Sequence, residues 1–345
     1  MCGAIAISPT LFIPPEKTFL LKPVTFEGPC TAPNPQLQVL GNIVAADKVS
    51  AWSGFDPNVW LAFSNVNGLT IDGSGQIDGQ GSVWWSRPCI DVDDITDALR
   101  FKSCKGLQLR GLRHLNSPRN HISILDCSNV MLSNLHIIAP KNSPNTDGID
   151  IASSTNIHIK DSFIGTGDDC IAINGGSSFI NVTNVACGPG HGISVGSLGE
   201  DGANETVEEI HVKNCNFTRT MNGARIKTWP GGSGYARKIS FAQITLVEVK
   251  NPIIIDQYYC NGEHNCKNET SALKVSDVTY SGIHGTSVND EAAINLNCSQ
   301  AVPCSNIVMN QINIQSTNPD GNTSSYCSNA NGKSNDTSPA VPCLS

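Results

Sequence analysis

The stretch Ile157-His158-Ile159-Lys160-Asp161-Ser162-Phe163-Ile164 decides the fold, and Gly165-Thr166-Gly167-Asp168-Asp169-Cys170 follows it at once. It reads as an apolar position, any residue, an apolar position, two polar or small residues, then apolar again. The period-2 alternation is that of a strand with one buried face. The polar pair interrupts it with residue types that tolerate a left-handed bend. The same pattern begins at Leu69, Leu107, Val130, Ile180, Ile210, Ile239, Leu273 and Ile307, at spacings of 23 to 38 residues. Strand, tight bend, strand and a variable loop on each lap predict an all-β fold, a single-stranded right-handed parallel β-helix solenoid. Each coil hides its Ile, Val and Leu only when stacked on a neighbour. The spacing is too short for propeller blades of ~40 residues. Amphipathic helices, which a doubly wound α/β sheet needs between its strands, are missing from the pattern. No linker or composition break appears, so residues 1–345 read as one domain.

Composition bounds the partners. The chain has 22 Lys and Arg against 30 Asp and Glu, a net charge of −8. It carries no basic run, so nucleic acid is not expected as a partner. No segment reaches the ~18 apolar residues of a membrane span. A solenoid groove needs no second subunit, so a monomer is expected. The 14 Cys include the closely spaced Cys260/Cys266, Cys298/Cys304 and Cys327/Cys343, and none has the C-x-x-C spacing of a zinc site. An even count spread along the chain suggests disulfides and an oxidising compartment. Asn-x-Ser/Thr sequons at Asn181, Asn204, Asn216, Asn268, Asn297, Asn322 and Asn335 agree with a secreted, glycosylated protein. The N-terminus, Met1-Cys2-Gly3-Ala4-Ile5-Ala6-Ile7, lacks a basic n-region and is a poor signal peptide.

The chemistry collects after five consecutive strands: Asn145-Thr146-Asp147-Gly148, Gly167-Asp168-Asp169-Cys170, Gly190-His191-Gly192, Arg225-Ile226-Lys227 and Asp256-Gln257-Tyr258-Tyr259. Ile157 to Asp168 and Ile180 to His191 are the same step of 11 residues. Equivalent positions on stacked coils lie ~4.8 Å apart, so these groups are expected on one face within ~20 Å, in the same post-strand loop of each coil. Each motif alone has a plainer reading. Asp168-Asp169 suits an ordinary turn, His191 between glycines a turn residue, Arg225 and Lys227 a solvated strand face, and Asn145 an Asx-turn. Their coincidence favours chemistry. Glycoside cleavage needs one protonated and one ionised carboxyl group. Crowded carboxylates and nearby cations push pKa values apart in that sense.

These motifs resemble the polygalacturonases of glycoside hydrolase family 28, in particular the plant-type members. The resemblance also runs through FLLKPVTFEGPC (19–30), GTGDDCIAI (165–173), GPGHGISVGSLG (188–199), RIKTW (225–229) and NPIIIDQYYC (251–260), and so covers nearly the whole chain. It implies inverting hydrolysis of α-1,4 links in polygalacturonate or pectin at the cell wall, with no metal or organic cofactor. It implies Asp168 as general acid, Asp147 and Asp169 as activators of water, and His191 as the keeper of the Asp168 proton. Arg225 and Lys227 would bind substrate carboxylates, and Asn145 and Tyr259 would line the subsites. It also implies a Cys2–Cys30 bridge, and a chain that lacks the family's signal peptide and first coil. Pectate lyases share the scaffold but need Ca²⁺ and an Arg base, and rhamnogalacturonan hydrolases depart at the His and substrate-binding motifs. A catalytically inactive β-helix that only binds wall pectin is the alternative outside enzymology.

Overall fold

The computed structural model describes residues 2–3, 7–55, 58–85, 97–261, 269–288 and 292–344. The chain divides into two compact units, Met1–Ile171 and Ala172–Ser345, each described by itself. Both are built almost wholly of parallel strands, as the alternating repeat predicts.

In the first unit, Gln36–Val39, Thr70–Asp72, Gln108–Arg110, Ser128–Ser133 and Thr155–Gly165 stack in parallel register. Leu37, Ile71, Leu109, Leu132 and Ile159 fall in one column, and all are buried. A second ladder stacks Val24–Glu27, Val59–Ser64, Asp97–Lys102, Ile122–Leu125 and Ile149–Ala152. Its inward column holds Phe26, Phe63, Phe101, Ile124 and Ile151. The phenyl rings of Phe26, Phe63 and Phe101 stack at 4.9 and 5.5 Å between centroids. Each such side chain stabilises the stack by about 1.5–3 kcal/mol through removal of apolar surface from water.

The second unit repeats the scheme with longer strands: Ser178–Cys187, Asn204–Thr218, Ser233–Val249, Lys274–Ser287, Cys304–Ser316 and Ala330–Ser338. Opposite them run Ile193–Leu198, Asn222–Thr228, Asn251–Asp256, Ile294–Asn297 and Ser325–Ser328. The polar pairs sit at the bends as expected. Asn134, Asp161, Asn184, Asn214, Gln243 and Gln311 all have φ between 52° and 55°. Stacked asparagines also bond along the axis, with Asn156 Nδ2 donating to Asn129 Oδ1 at 2.6 Å.

One predicted coil start is wrong. Ile239 pairs with Val278, and Val278 with Ile307, so the coil begins at Val278 and not at Leu273. LKVSDV and VTYSGI both alternate. The stack selects the second, because it puts Gly282 at the left-handed bend (φ 61°). Three coils escaped the pattern altogether, those of Thr10–Ile13, Gln36–Val39 and Ala330–Ser338. Thr10–Ile13 pairs with Gln36–Val39, and Ala330–Ser338, with the polar sequence ANGKSNDTS, pairs with Cys304–Ser316.

Disulfides join Cys2 to Cys30, Cys298 to Cys304 and Cys327 to Cys343, and Cys170, Cys187 and Cys260 are also disulfide-bonded. Cys104, Cys127 and Cys215 are buried free thiols, so the cysteines do not all pair. Cys89, Cys266 and the Asn268 sequon lie outside the described residues. No helix among the described residues is long and apolar enough to cross a membrane.

One core position breaks the apolar rule. In the column Ile43, Ile77, His114, Ile137, Ile164, a histidine stands where its neighbours are isoleucines. Among the described residues, neither ring nitrogen of His114 meets a hydrogen-bond partner. Burial, with the nearby His121 adding to it, pushes its pKa down to about 3; burial pushes His121 down to about 4. In the unfolded chain both titrate near 6.5. The unfolded state therefore binds more protons below that value. Stability is full above about pH 6.5 and falls as pH drops toward about 4, by about 1.4 kcal/mol per pH unit for each histidine. We expect the urea midpoint to fall between pH 7 and about pH 5. His114→Ile should raise it at pH 7, by about 1–3 kcal/mol of stability, and should flatten its pH dependence. An unchanged midpoint in that variant would count against the account.

Candidate active site

The carboxylates of the first unit are held by the backbone before any side chain acts. His121 N–H donates to the Asp147 carbonyl at 2.8 Å, and Ile122 N–H to the Gly148 carbonyl at 3.1 Å. On the other side, Gly148 N–H donates to the Asp169 carbonyl at 2.9 Å, and Ile149 N–H to the Cys170 carbonyl at 3.1 Å. This is the bonding pattern that places Ile122 opposite Ile149. Asn120, Asp147 and Asp169 therefore occupy equivalent positions on three successive coils, neighbours being ~4.8 Å apart. Gly148 is required by space, since a Cβ there would lie 2.4 Å from Ile164 Cγ2 and 2.6 Å from the Cys170 carbonyl oxygen.

Loop chemistry fixes the rest. Thr146 is buried, its Oγ1 lying 2.7 Å from Ser143 Oγ and accepting the Gly167 N–H at 3.0 Å. A Cβ on Gly167 would fall 1.9 Å from the Ser143 carbonyl oxygen, so the glycine lets the two loops touch. Asn145 is exposed with φ 52°, the left-handed conformation that asparagine accepts readily. Asp147 and Asp168 are half-buried and Asp169 is buried. Asp168 Oδ1 accepts the Asp169 N–H at 2.8 Å, which turns the Asp168 carboxylate back over its own backbone.

In the second unit, His191 stands two residues ahead of Ile193, the offset that Asp147 has from Ile149 and Asp169 from Ile171. Asn222 Nδ2 donates to the His191 carbonyl at 3.3 Å, and Asn251 Nδ2 to Asn222 Oδ1 at 3.1 Å. Arg225 and Lys227 depart from expectation. They lie within the strand Asn222–Thr228, not in a loop. Arg225 stands opposite Ser194 and Ile254, three residues past the position of His191 along the register. Five motifs thus do not share one loop position. The reason is register: Ser194, opposite Arg225, already lies inside the strand Ile193–Leu198, so both cations stand further along the coil than the loop position of His191. The strand holds both cations firmly. Arg225 Nε donates to Ser194 Oγ at 2.8 Å, and Lys227 is only 9% exposed.

Tyr259 joins Lys227. The ammonium lies 5.2 Å from the Tyr259 ring centroid, and Trp229 meets the same ring edge-on at 5.7 Å. Tyr259 N–H donates to the Thr228 carbonyl at 3.2 Å, which ties the loop to the strand of the cations. One acid of the last motif was not singled out as a candidate. Asp256 stands in register with Lys227 and Asn297. Burial raises its pKa, against the Tyr258 N–H, Asn297 and Arg225, which lower it. Its place in the DQYY string was visible in the sequence, but only the register puts it beside Lys227. Gln257, also in that string, is structural: its amide donates to the Leu273 carbonyl at 2.7 Å and its oxygen accepts the Ser299 N–H at 2.9 Å.

Comparison with known proteins fits these findings. Residues 2–338 match the glycosyl hydrolases family 28. A probable polygalacturonase of Arabidopsis thaliana is 48% identical over 340 residues, which cover 96% of this chain and 72% of the relative. A polygalacturonase of Persea americana is 42% identical over 92% of this chain and 70% of its own length. Among solved structures, an endo-xylogalacturonan hydrolase from Aspergillus tubingensis superposes with a TM-score of 0.81 at 26% identity, covering 93% of this chain and 88% of that one. A polygalacturonase from Erwinia carotovora, at 24% identity over 92% of this chain and 86% of its own, shares the fold with a TM-score of 0.71. The fold is that of the right-handed parallel β-helix enzymes. This chain belongs to the glycosyl hydrolases of family 28.

Proposed function

We propose that the chain hydrolyses α-1,4-galacturonosyl links in polygalacturonate or pectin by an inverting acid–base mechanism. The observation that carries the reading is the in-register pair Asp147 and Asp169, held one coil apart by backbone bonds beside Asp168. Two carboxylates at strand spacing suit the capture and activation of one water. Asp168 then acts as general acid toward the leaving glycosidic oxygen, as inversion requires of a second carboxyl function. His191 keeps Asp168 protonated. Arg225 and Lys227 bind substrate carboxylates, and so supply locally the positive charge that a chain of net charge −8 lacks. Asn145 and Tyr259 line the sugar subsites. Tyr259 is suited to that by the Trp229 and Lys227 contacts that fix its ring. The acid and base of the reaction are carboxyl groups, and it needs no metal or organic cofactor. The disulfides and the relatives named polygalacturonase support secretion to the cell wall, while the monomer and the glycosylation rest on the sequence alone, on the solenoid pattern and the sequons.

The test is reducing-end release from polygalacturonic acid at mildly acidic pH. We expect Asp168→Asn to lose turnover by roughly 10²–10⁴-fold, the usual worth of a positioned proton donor, while it keeps its fold and substrate binding. Normal turnover in that variant would sink the assignment, and binding without cleavage by the parent chain would sink the enzyme.

Lys227 contacts substrate in ground and transition states alike, so its loss acts on affinity. Lys227→Ala should raise KM by about 10- to 100-fold, corresponding to about 1.5–3 kcal/mol for a hydrogen bond to a charged group, with kcat little changed. An unchanged KM would argue against the role.

A further inference from the structure

We infer that His121 is a positioning residue for Asp147, acting through the Asp147 carbonyl. The inference rests on the water-activating role proposed for Asp147.

His121 is fully buried at the entry to the strand Ile122–Leu125. Its ring bridges two segments. Ser117 N–H donates to His121 Nε2 at 3.3 Å, so Nε2 presents a lone pair and the proton sits on Nδ1. Nδ1–H then donates to the Asp147 carbonyl at 3.1 Å. The Ile138 carbonyl also lies 3.3 Å from Nε2 and accepts the Asn116 N–H at 2.9 Å; the tautomer follows from the Ser117 N–H, which a proton on Nε2 would leave facing a second donor. The Asp147 carbonyl thus receives two donors from one residue, the His121 N–H at 2.8 Å and the ring at 3.1 Å, which uses both its lone pairs.

The restraint continues on both sides. The turn that holds Ser117 is closed by Ser117 Oγ, donating to the Asn120 carbonyl at 2.7 Å, and by Trp85 Nε1, donating to the Ser117 carbonyl at 3.1 Å. Beyond Asp147, Gly148 is locked between Ile164 and the backbone of Asp169 and Cys170. The Asp147 Cα is therefore fixed from both neighbouring coils, with the imidazole as the side-chain member of that clamp. Burial keeps the ring neutral at mildly acidic pH, so the tautomer persists under assay conditions.

Loss of the ring bond leaves the Asp147 carbonyl with the His121 N–H at 2.8 Å as its remaining donor from that residue, and loosens the segment ahead of the bonds made by Gly148. The carboxylate then swings, and a displacement of about 1 Å at a reacting group costs up to about 100-fold in rate. Substrate grip by Arg225 and Lys227 is not involved. The signature is a loss in kcat with KM retained.

The test compares His121→Leu, His121→Asn and Asp147→Asn in the full chain on polygalacturonic acid, each checked by circular dichroism. Asn Nδ2 occupies the place of His Nδ1 and restores the donor. We expect His121→Leu to lose at least about tenfold in kcat with KM within about twofold, and His121→Asn to recover most of it. A fully active His121→Leu overturns the inference, as does an equal kcat loss in both His121 variants. If His121→Leu fails to fold, His121→Asn decides alone: kcat near the parent sustains the inference, and kcat as low as that of Asp147→Asn overturns it. An active Asp147→Asn overturns the role of Asp147 itself, whereas an inactive Asp147→Asn beside a fully active His121→Leu overturns only the positioning role.

Discussion

In-register hydrogen bonding between successive coils is the constraint on which everything else here depends. A parallel stack repeats each position every ~4.8 Å, so one residue per coil builds a column. Columns of Leu and Ile form the core of the first unit. The column Asn120, Asp147, Asp169 carries its proposed chemistry by the same rule. The proposed catalytic pair is thereby placed by backbone geometry, which is stiffer than side-chain packing alone. The two Cα atoms reach their spacing before any rotamer is chosen. The glycines Gly148 and Gly167 follow from that closeness, because neither leaves space for a Cβ.

Electrostatics work locally in this protein. The net charge of −8 opposes a polyanionic ligand at long range. In the proposed role Arg225 and Lys227 counter it from the strand Asn222–Thr228, where neighbours on both sides hold them. Lys227 is nearly buried and leans on Tyr259, so little side-chain freedom remains to be lost on binding. Asp256, raised by burial and beside Lys227 in register, adds a titrating group close to the cations.

The two buried histidines of the first unit differ in kind. His114 occupies an isoleucine column with both nitrogens unpartnered among the described residues, and contributes a penalty that grows with acidity. His121 has defined partners at both nitrogens, in an arrangement that demands one tautomer. Burial alone lowers the pKa of either; partners distinguish a tolerated residue from a placed one.

The sequence by itself determined the fold class, because apolar alternation broken by polar bends is dictated by burial on one face and by the left-handed turn. It also singled out the candidates for the proposed chemistry: Asn145, Asp147, Asp168, Asp169, His191, Arg225, Lys227 and Tyr259 stood out as polar groups interrupting a strand repeat. Register was decided only by the tertiary structure. LKVSDV and VTYSGI read alike, and stacking on Ile239 chose Val278. Arg225 and Lys227 looked like loop residues until pairing with Ser194 and Ile254 put Arg225 inside a strand. Asp256 gained a partner in Lys227, and His121 a target in the Asp147 carbonyl, only through neighbours 29 and 26 residues away in the chain. A sequence pattern records which face a residue takes, since that depends on local period. Which coil it meets depends on loop lengths between coils, and these are fixed only when the stack closes.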